Sequence, residues 1–174
     1  MKNSTEVITV KRPNECSKAE LQDFAAFVCA GGEVISAGLE ARIKKAEVLV
    51  FLSHEGCLKG IAAVKKPELS YQNKVFQKAH ATAQSSEFSF ELGWVYVLPS
   101  SRGVGFSRKL VKAALAATHG WPIFATSRSD NIPMHKVLKA QGFLCHGKSY
   151  ASARGNHELV LFIRRAAQYA PSLH

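Results

Sequence analysis

The sequence predicts an α/β domain built on a mixed sheet, and three observations carry that prediction. Leu92 to Leu115 reads as a strand, a tight glycine-bearing turn and a helix in immediate succession. The helix is followed by Trp121-Pro122-Ile123-Phe124-Ala125-Thr126, and a strand–helix–strand run makes a parallel pair by right-handed crossover. Upstream, Val48 to Leu52 and Leu58 to Val64 flank His54-Glu55-Gly56, the pattern of an antiparallel hairpin with a glycine turn.

Composition narrows the class. A chain of 174 residues, 47% hydrophobic and 21% charged, suits one domain over residues 1–174 with a sizeable core. No apolar run approaches the roughly 20 residues of a membrane span. Met1 to Glu6 lacks the apolar segment of a secretory signal, so a cytoplasmic protein with no membrane partner is expected. Cys16, Cys29, Cys57 and Cys145 lack C-x-x-C spacing and read as reduced or buried thiols, with no metal site. The formal net charge of +10 is spread along the chain and raises the encounter rate with any polyanion; RNA, an acidic protein and a ribosomal surface are partners of that kind.

Taken in order, Val7 to Val10 has the β-branched content of a first strand, closed by Pro13. Ser17 and Glu20 form a capping-box pattern, after which Leu21, Phe24, Ala25 and Val28 recur at helical spacing until Gly31-Gly32. A second helix is expected from Val34 to Lys45, interrupted by Gly38. After the hairpin, whose turn carries a His54 with no assigned chemistry, Pro67 to Glu87 reads as a short helix through Val75, Phe76 and Ala79. A mobile polar loop from Thr82 to Ser86 then follows, and the whole segment is the one expected to decide acceptor specificity.

Strict alternation along the central strand puts Phe90, Leu92, Trp94 and Tyr96 on one face and Glu91, Gly93, Val95 and Val97 on the other. A carboxylate on an otherwise apolar face is unusual, and desolvation there favours the proton-accepting behaviour of a general base, so Glu91 is a candidate for one. In the helix beyond the turn, Leu110, Val111, Ala114, Leu115 and Thr118 form an inward stripe opposite Arg108, Lys109 and Lys112. A further helix is capped by Asp130 or Asn131, takes Pro133 in its first turn, turns Met134, Val137 and Leu138 inward, and ends at Gly142. Phe143 to Gly147 and Glu158 to Ile163 close the chain as two strands, with His146 and Tyr150 near the loop between them.

The turn at Arg102-Gly103-Val104-Gly105-Phe106-Ser107 carries the clearest chemistry. Backbone N–H groups at a helix N-terminus have no intrahelical partner and sit at the positive end of the macrodipole, so they form a ready anion site. Gly103 and Gly105 permit close approach, no carboxylate stands in the turn, and a pyrophosphate fits it best. A dinucleotide fingerprint fails, because Arg108 stands where its third glycine belongs. The Walker loop fails too, because Phe106 and Ser107 follow Gly105.

This turn resembles the [Arg/Gln]-x-x-Gly-x-[Gly/Ala] signature of the GNAT superfamily of acyl-CoA-dependent N-acyltransferases, preceded here by a strand ending in Val97-Leu98-Pro99. Ser107 departs from the usual final Gly or Ala but is still small and still supplies its N–H. Asn131 through Gly142-Phe143 is similar to the second motif of that family, and the resemblance spans about Val7 to Arg165. It implies a mixed, mostly antiparallel sheet of about six to seven strands with helices on both faces, the first two helices walling the acceptor side. It implies acetyl-CoA as cofactor, held by the backbone of Tyr96, Val97 and Leu98, by residues Arg102, Gly103, Val104, Gly105, Phe106 and Ser107, and by Asn131. The implied reaction is direct attack of a primary amine on the thioester in a ternary complex, with a glutamate of the central strand deprotonating the amine through water, which makes Glu91 the first catalytic candidate and Glu87 the reserve. Leu138 occupies the position where many members carry a proton-donating tyrosine, and Tyr150 is the nearest later phenol. The other class that fits is a basic RNA- or protein-binding module keeping the fold without turnover.

Overall fold

The computed structural model describes residues 5–32 and 34–166; most of the Met1 to Glu6 stretch lies outside them. The first strand is β1 (Glu6–Lys11), antiparallel to β2 (Val48–His54) with Ile8 opposite Leu52. β2 turns into β3 (Cys57–Lys65) through Glu55 at φ 52° and Gly56 at φ 75°. Two successive positive φ values are the type I′ turn whose twist matches that of a hairpin. Next come β4 (Phe90–Val97), antiparallel to β3, and β5 (Ile123–Arg128), parallel to β4. β8 (Glu158–Arg164) runs antiparallel to β5 and also carries the short β6 (Leu144–Cys145) and β7 (Tyr150–Ala151).

The sheet therefore has eight strands in the order β1-β2-β3-β4-β5-β8-β6 with β7 on β8, and β4–β5 is its parallel pair. It is mixed and mostly antiparallel, as expected. The extra strand over the expected six to seven is β7, whose Tyr150-Ala151 pair is too short to show periodicity. The fifth strand begins two residues later than expected, at Ile123 instead of Trp121, and Trp121 is 58% exposed.

Helices cover both faces. α1 (Lys18–Ala30) opens as its sequence dictates: Ser17 Oγ accepts from Glu20 N at 3.1 Å, and Glu20 Oε2 accepts from Ser17 N at 2.8 Å. Such a cap stabilises a helix by about 1 kcal/mol. α2 is shorter than the expected Val34 to Lys45 and covers Leu39–Lys44. Gly38 precedes it at φ 68°, so this glycine starts the helix where it was expected to interrupt one. α4 (Phe106–Ala116) and α5 (Ile132–Ala140) lie on one face of the sheet, where Leu110, Val111, Leu138 and Phe143 pack with Leu92, Ile123 and Phe162. On the opposite face α1 and α2 bury Phe24, Val28 and Ile43 against Leu49, Phe51 and Ile61.

The segment from Pro67 to Glu87 differs from expectation. α3 (Leu69–Lys78) is ten residues long and joins a separate cluster in which Phe76 meets Phe88 and Phe124 at ring distances of 5.4 Å. The polar stretch after it is pinned: buried Gln72 donates through Nε2 to Phe88 O at 2.7 Å and to Ser85 O, Ala81 N bonds Phe76 O at 3.0 Å, and Ala83 N bonds His146 Nε2 at 3.1 Å. Its polar residues satisfy backbone groups here, which a composition reading takes for a loop.

The largest departure lies in β4. Ala63 faces Gly93 but Ile61 faces Tyr96, so β4 spends one residue more than β3 over the same span. This bulge falls at Trp94, whose φ is 51°. A left-handed conformation costs a non-glycine residue about 1 kcal/mol, and the indole recovers it by packing edge-on to Phe24 at 6.0 Å. The bulge breaks the alternation. Trp94 and Tyr96 pack with the α1 cluster, on the Glu91 side of the strand, while Phe90, Leu92, Val95 and Val97 pack under α4.

Candidate active site

Two strands that run parallel part company at the middle of the sheet. β4 and β5 pair over only Phe90↔Ile123, Glu91↔Phe124 and Leu92↔Ala125. Past Leu92, β4 bends at its bulge and keeps bonding to β3, with Leu98 N donating to Lys59 O at 2.9 Å. Antiparallel alternation then points the N–H and C=O of Val97 the other way, into the opening. The Val97 carbonyl accepts from Arg102 Nε at 3.0 Å, and the Arg102 guanidinium lies 5.7 Å from the centre of the Tyr96 ring. Of the three positions at the end of β4 and just past it that are implied for cofactor contact, Val97 offers an N–H to the opening, Leu98 has its N–H committed to β3, and Tyr96 stands on the α1 face with Phe27 edge-on at 5.9 Å.

The end of this opening is the glycine turn. Gly103 has φ 84° and Gly105 φ 87°, and Gly105 is the N-cap of α4, with no side-chain cap. The first intrahelical bond is Lys109 N to Gly105 O at 3.2 Å, which leaves the N–H groups of Phe106, Ser107 and Arg108 without intrahelical acceptors. A Cβ built on either glycine meets nothing within 4 Å, so the space above the turn is open and the glycines are required by φ alone. Val104 is 62% exposed, and the Phe106 ring is buried beneath the helix start. These groups fit an anionic phosphate chain: oriented donors, a dipole, open space, and no carboxylate in the turn. Lys109, read as part of a free basic face, instead pairs with Glu6 at 2.7 Å.

Asn131 caps α5, its Oδ1 accepting from Met134 N at 3.2 Å, and is exposed just past the C-terminal end of β5. That is the strand end which, with the end of β4, flanks the opening. Leu138 is 2% exposed in the core under α4 and α5 and presents nothing to the opening.

At the apex of the split, between the α1 and α3 clusters, stands a polar group. Glu91 is 3% exposed. Its Oε2 lies 2.9 Å from Lys65 Nζ, and its Oε1 accepts from the Tyr71 hydroxyl at 3.0 Å. Lys65 is directly opposite Glu91 in the β3–β4 ladder, and its stem runs across Gly93: a Cβ there would stand 2.9 Å from Lys65 Cε. Its ammonium also lies 5.0 Å from the Trp94 ring centre. Tyr71 further engages the side chain of Thr126, the first β5 residue beyond the pairing with β4. Burial first, and then the charge and hydrogen bond of Glu91, raise the Tyr71 pKa far above the ordinary phenol range.

Tyr150 completes the group from β7. Burial foremost, with the Glu91 charge second, pushes its pKa up to about 12. Its hydroxyl is buried and has no hydrogen-bond partner among the described residues. A neutral phenol with no acceptor of its own retains a proton that it can donate to a group entering the site. The structure thus brings the two candidates Glu91 and Tyr150 together, although 59 positions separate them in the chain. Glu87, the reserve candidate, is partly exposed and pairs with Arg165 at 3.4 Å. Lys65 and Tyr71 were not singled out from sequence; the signal for Lys65 is the β3–β4 register, which the unseen bulge conceals.

No helix among the described residues is long and apolar enough to cross a membrane, and no cluster of metal-ligating residues is found among them. All four cysteines are free.

The chain is similar in structure to ElaA of Escherichia coli (TM-score 0.68, 14% identity, covering 92% of this chain and 100% of that one). It is similar to yncA, a putative acetyltransferase of Salmonella typhimurium determined with acetyl-CoA (TM-score 0.65, 15% identity, 96% and 97% covered). An N-acetyltransferase of Staphylococcus aureus Mu50 also aligns (TM-score 0.62, 16% identity, 93% and 99% covered). Identities this low speak for the fold alone. No curated protein matches the sequence. The acetyltransferase (GNAT) family model matches residues 18–143, a stretch holding the β4–β5 split, the glycine turn, Asn131 and the Lys65–Glu91 pair, and the chain therefore belongs to that acetyltransferase family.

Proposed function

We propose that the protein, acting as a single domain over residues 1–174, transfers an acetyl group from acetyl-CoA to a primary amine by direct attack in a ternary complex. One observation carries the reading: the β4–β5 opening has oriented N–H donors at the α4 end and a carboxylate with a neutral phenol at its apex. A reactive anionic chain held at the first would reach the second. The acetyl-CoA bound by the Salmonella relative supports the choice of cofactor. A cytoplasmic setting is part of the same proposal.

In this reading the N–H groups of Phe106, Ser107 and Arg108 hold the pyrophosphate, and Asn131 lines the other side of the opening. The Val97 N–H holds the pantetheine arm. The thioester is the electrophile that the cofactor supplies. Glu91 takes the proton of the acceptor amine: a carboxylate has about four lone-pair sites, so bonds from Tyr71 and Lys65 leave it room to accept another. Tyr71 and Lys65 fix the orientation of its two oxygens. Tyr150 donates its proton to the departing thiolate, a step suited to a phenol whose pKa keeps it protonated at neutral pH.

The test has two arms. Isothermal calorimetry with acetyl-CoA checks the cradle, and thiol release measured across a panel of primary amines checks turnover. Failure to bind acetyl-CoA overturns the reading; binding without release from any amine reduces it to a cofactor-binding protein.

A further inference from the structure

We infer that Lys65 is itself an acetylation site, modified by the protein's own active centre when no external acceptor is present; the inference rests on the acetyl-CoA reading above. An acceptor amine needs a base within hydrogen-bond reach of its nitrogen and must stand at the apex of the β4–β5 split. Lys65 Nζ meets both conditions. It is 2.9 Å from Glu91 Oε2, and its side chain crosses Gly93, the first β4 residue beyond the last pair with β5. Among the described lysines, it is the one whose ammonium touches Glu91. The others with recorded ion pairs reach carboxylates away from the opening, as Lys44 does to Glu40 and Lys109 to Glu6.

The geometry is built and not incidental. Glycine at position 93 is what gives the Lys65 stem its path, because any side chain there would strike Cδ, Cε and Nζ. Trp94 turns its ring to the ammonium from the bulge. The lysine side chain is 21% exposed, so the amine is neither sealed in the core nor free in solvent. A group held beside its base in this way reacts as an intramolecular nucleophile, and such positioning accounts for very large effective concentrations.

The step balances as follows. The ammonium gives one proton to Glu91, and the neutral Nζ attacks the thioester carbonyl carbon. The N–C bond forms as the C–S bond breaks, and the electron pair leaves with sulfur. The thiolate takes a proton from Tyr150, which recovers it from the second proton lost by nitrogen. Glu91 returns the first proton to solvent, so ammonium and acetyl-CoA give the amide, CoA and one proton. The product is neutral, and the site changes from a balanced ion pair to an uncompensated carboxylate facing the acceptor side.

Purified full-length protein incubated with acetyl-CoA alone, followed over time by intact-mass spectrometry and peptide mapping, tests this. The expected result is a single acetyl group on Lys65, gained at a rate per molecule that does not change on diluting the protein at saturating acetyl-CoA, and ahead of any label on exposed Lys112. Lys65→Arg should abolish the mark while calorimetry shows acetyl-CoA still bound. Binding of acetyl-CoA with Lys65 unmodified, or with label only on exposed lysines, overturns the inference and leaves the acetyltransferase reading intact. A labelling rate that rises with protein concentration also overturns it, because transfer is then between molecules. If acetyl-CoA does not bind, both readings fall together.

Discussion

Replacing Lys65 by methionine tests whether the apex is a working ion pair. Methionine keeps the unbranched stem that lies over Gly93 and beside Trp94, so packing is largely conserved while the charge is removed. Glu91, at 3% exposure, then keeps one of its two partners, the Tyr71 hydroxyl. Breaking one side of a buried pair costs about 3–5 kcal/mol. The 21% exposure of Lys65 lets water reach the vacated oxygen, which brings the expectation down to about 2–3 kcal/mol. Glu91→Gln alone leaves an ammonium that can turn to solvent and should cost about 1 kcal/mol. The double variant removes both charges and should lie within about 1 kcal/mol of the unaltered protein. Urea unfolding followed by tryptophan fluorescence is the assay. With an m value near 2 kcal/mol/M the single lysine variant should unfold about 1 M earlier. Equal midpoints for Lys65→Met and the surface control Lys112→Met, with no coupling in the cycle, would refute the argument.

Four further outcomes are expected. Glu91→Gln should lower kcat by about 10²-fold or more with acetyl-CoA affinity nearly unchanged, and Tyr150→Phe should lower kcat less while leaving stability unchanged, because the hydroxyl it removes bonds nothing. The pH–rate profile should lack a basic limb through the neutral range, because the Tyr150 phenol is raised from 10.0 to about 12 and stays protonated there; by the same shift stability does not change with this group below pH 10 and falls as the pH rises toward 12. Gly105→Ala should cost about 1 kcal/mol of stability through its positive φ alone, since no atom obstructs the new methyl. Calorimetry should show its acetyl-CoA affinity falling further than stability predicts, and unchanged affinity would remove the phosphate role from this turn. In hydrogen exchange the amides of Ala81 and Ala83 should be protected by their bonds to Phe76 and His146; rapid exchange there would restore the mobile loop that composition suggests.

What the sequence made legible was local. Ser17 and Glu20 announce a cap by spacing, Glu55-Gly56 announces a hairpin turn, and Gly103 and Gly105 stand where φ must be positive. Each of these depends on a few neighbouring residues. The faces of β4 depend on pairing with β3, and there alternation fails after Gly93 because Trp94 is the added residue. Tryptophan is a poor candidate for a left-handed position, so nothing in its identity marks the bulge. Strict alternation therefore puts Glu91 and Trp94 on opposite faces, whereas the bulge brings them to one face, and the pairing of Glu91 with Lys65 follows from a strand register that no local pattern announces. Glu91 itself is legible because a carboxylate on an apolar strand is unusual regardless of register. Gln72 shows the reverse case, a polar residue in a polar-looking segment that is 3% exposed and ties α3 to the chain before β4.

The shortness of the β4–β5 ladder has a mechanical consequence. Load applied across the body of the sheet, from β1 at one edge to β8 beyond β5, passes through every ladder between them in turn. At β1–β2 and at β5–β8 it is shared by six residue pairs, but at β4–β5 by three. On the α4 and α5 face, the packing of Leu110, Leu138 and Phe143 backs that junction like a spine, whereas on the opposite face the α1 and α3 clusters are separate. The sheet therefore yields first along the line that holds Glu91. A molecule gripping both strands there would act as a rivet, so occupancy should raise the rupture force of this protein out of proportion to the surface it buries.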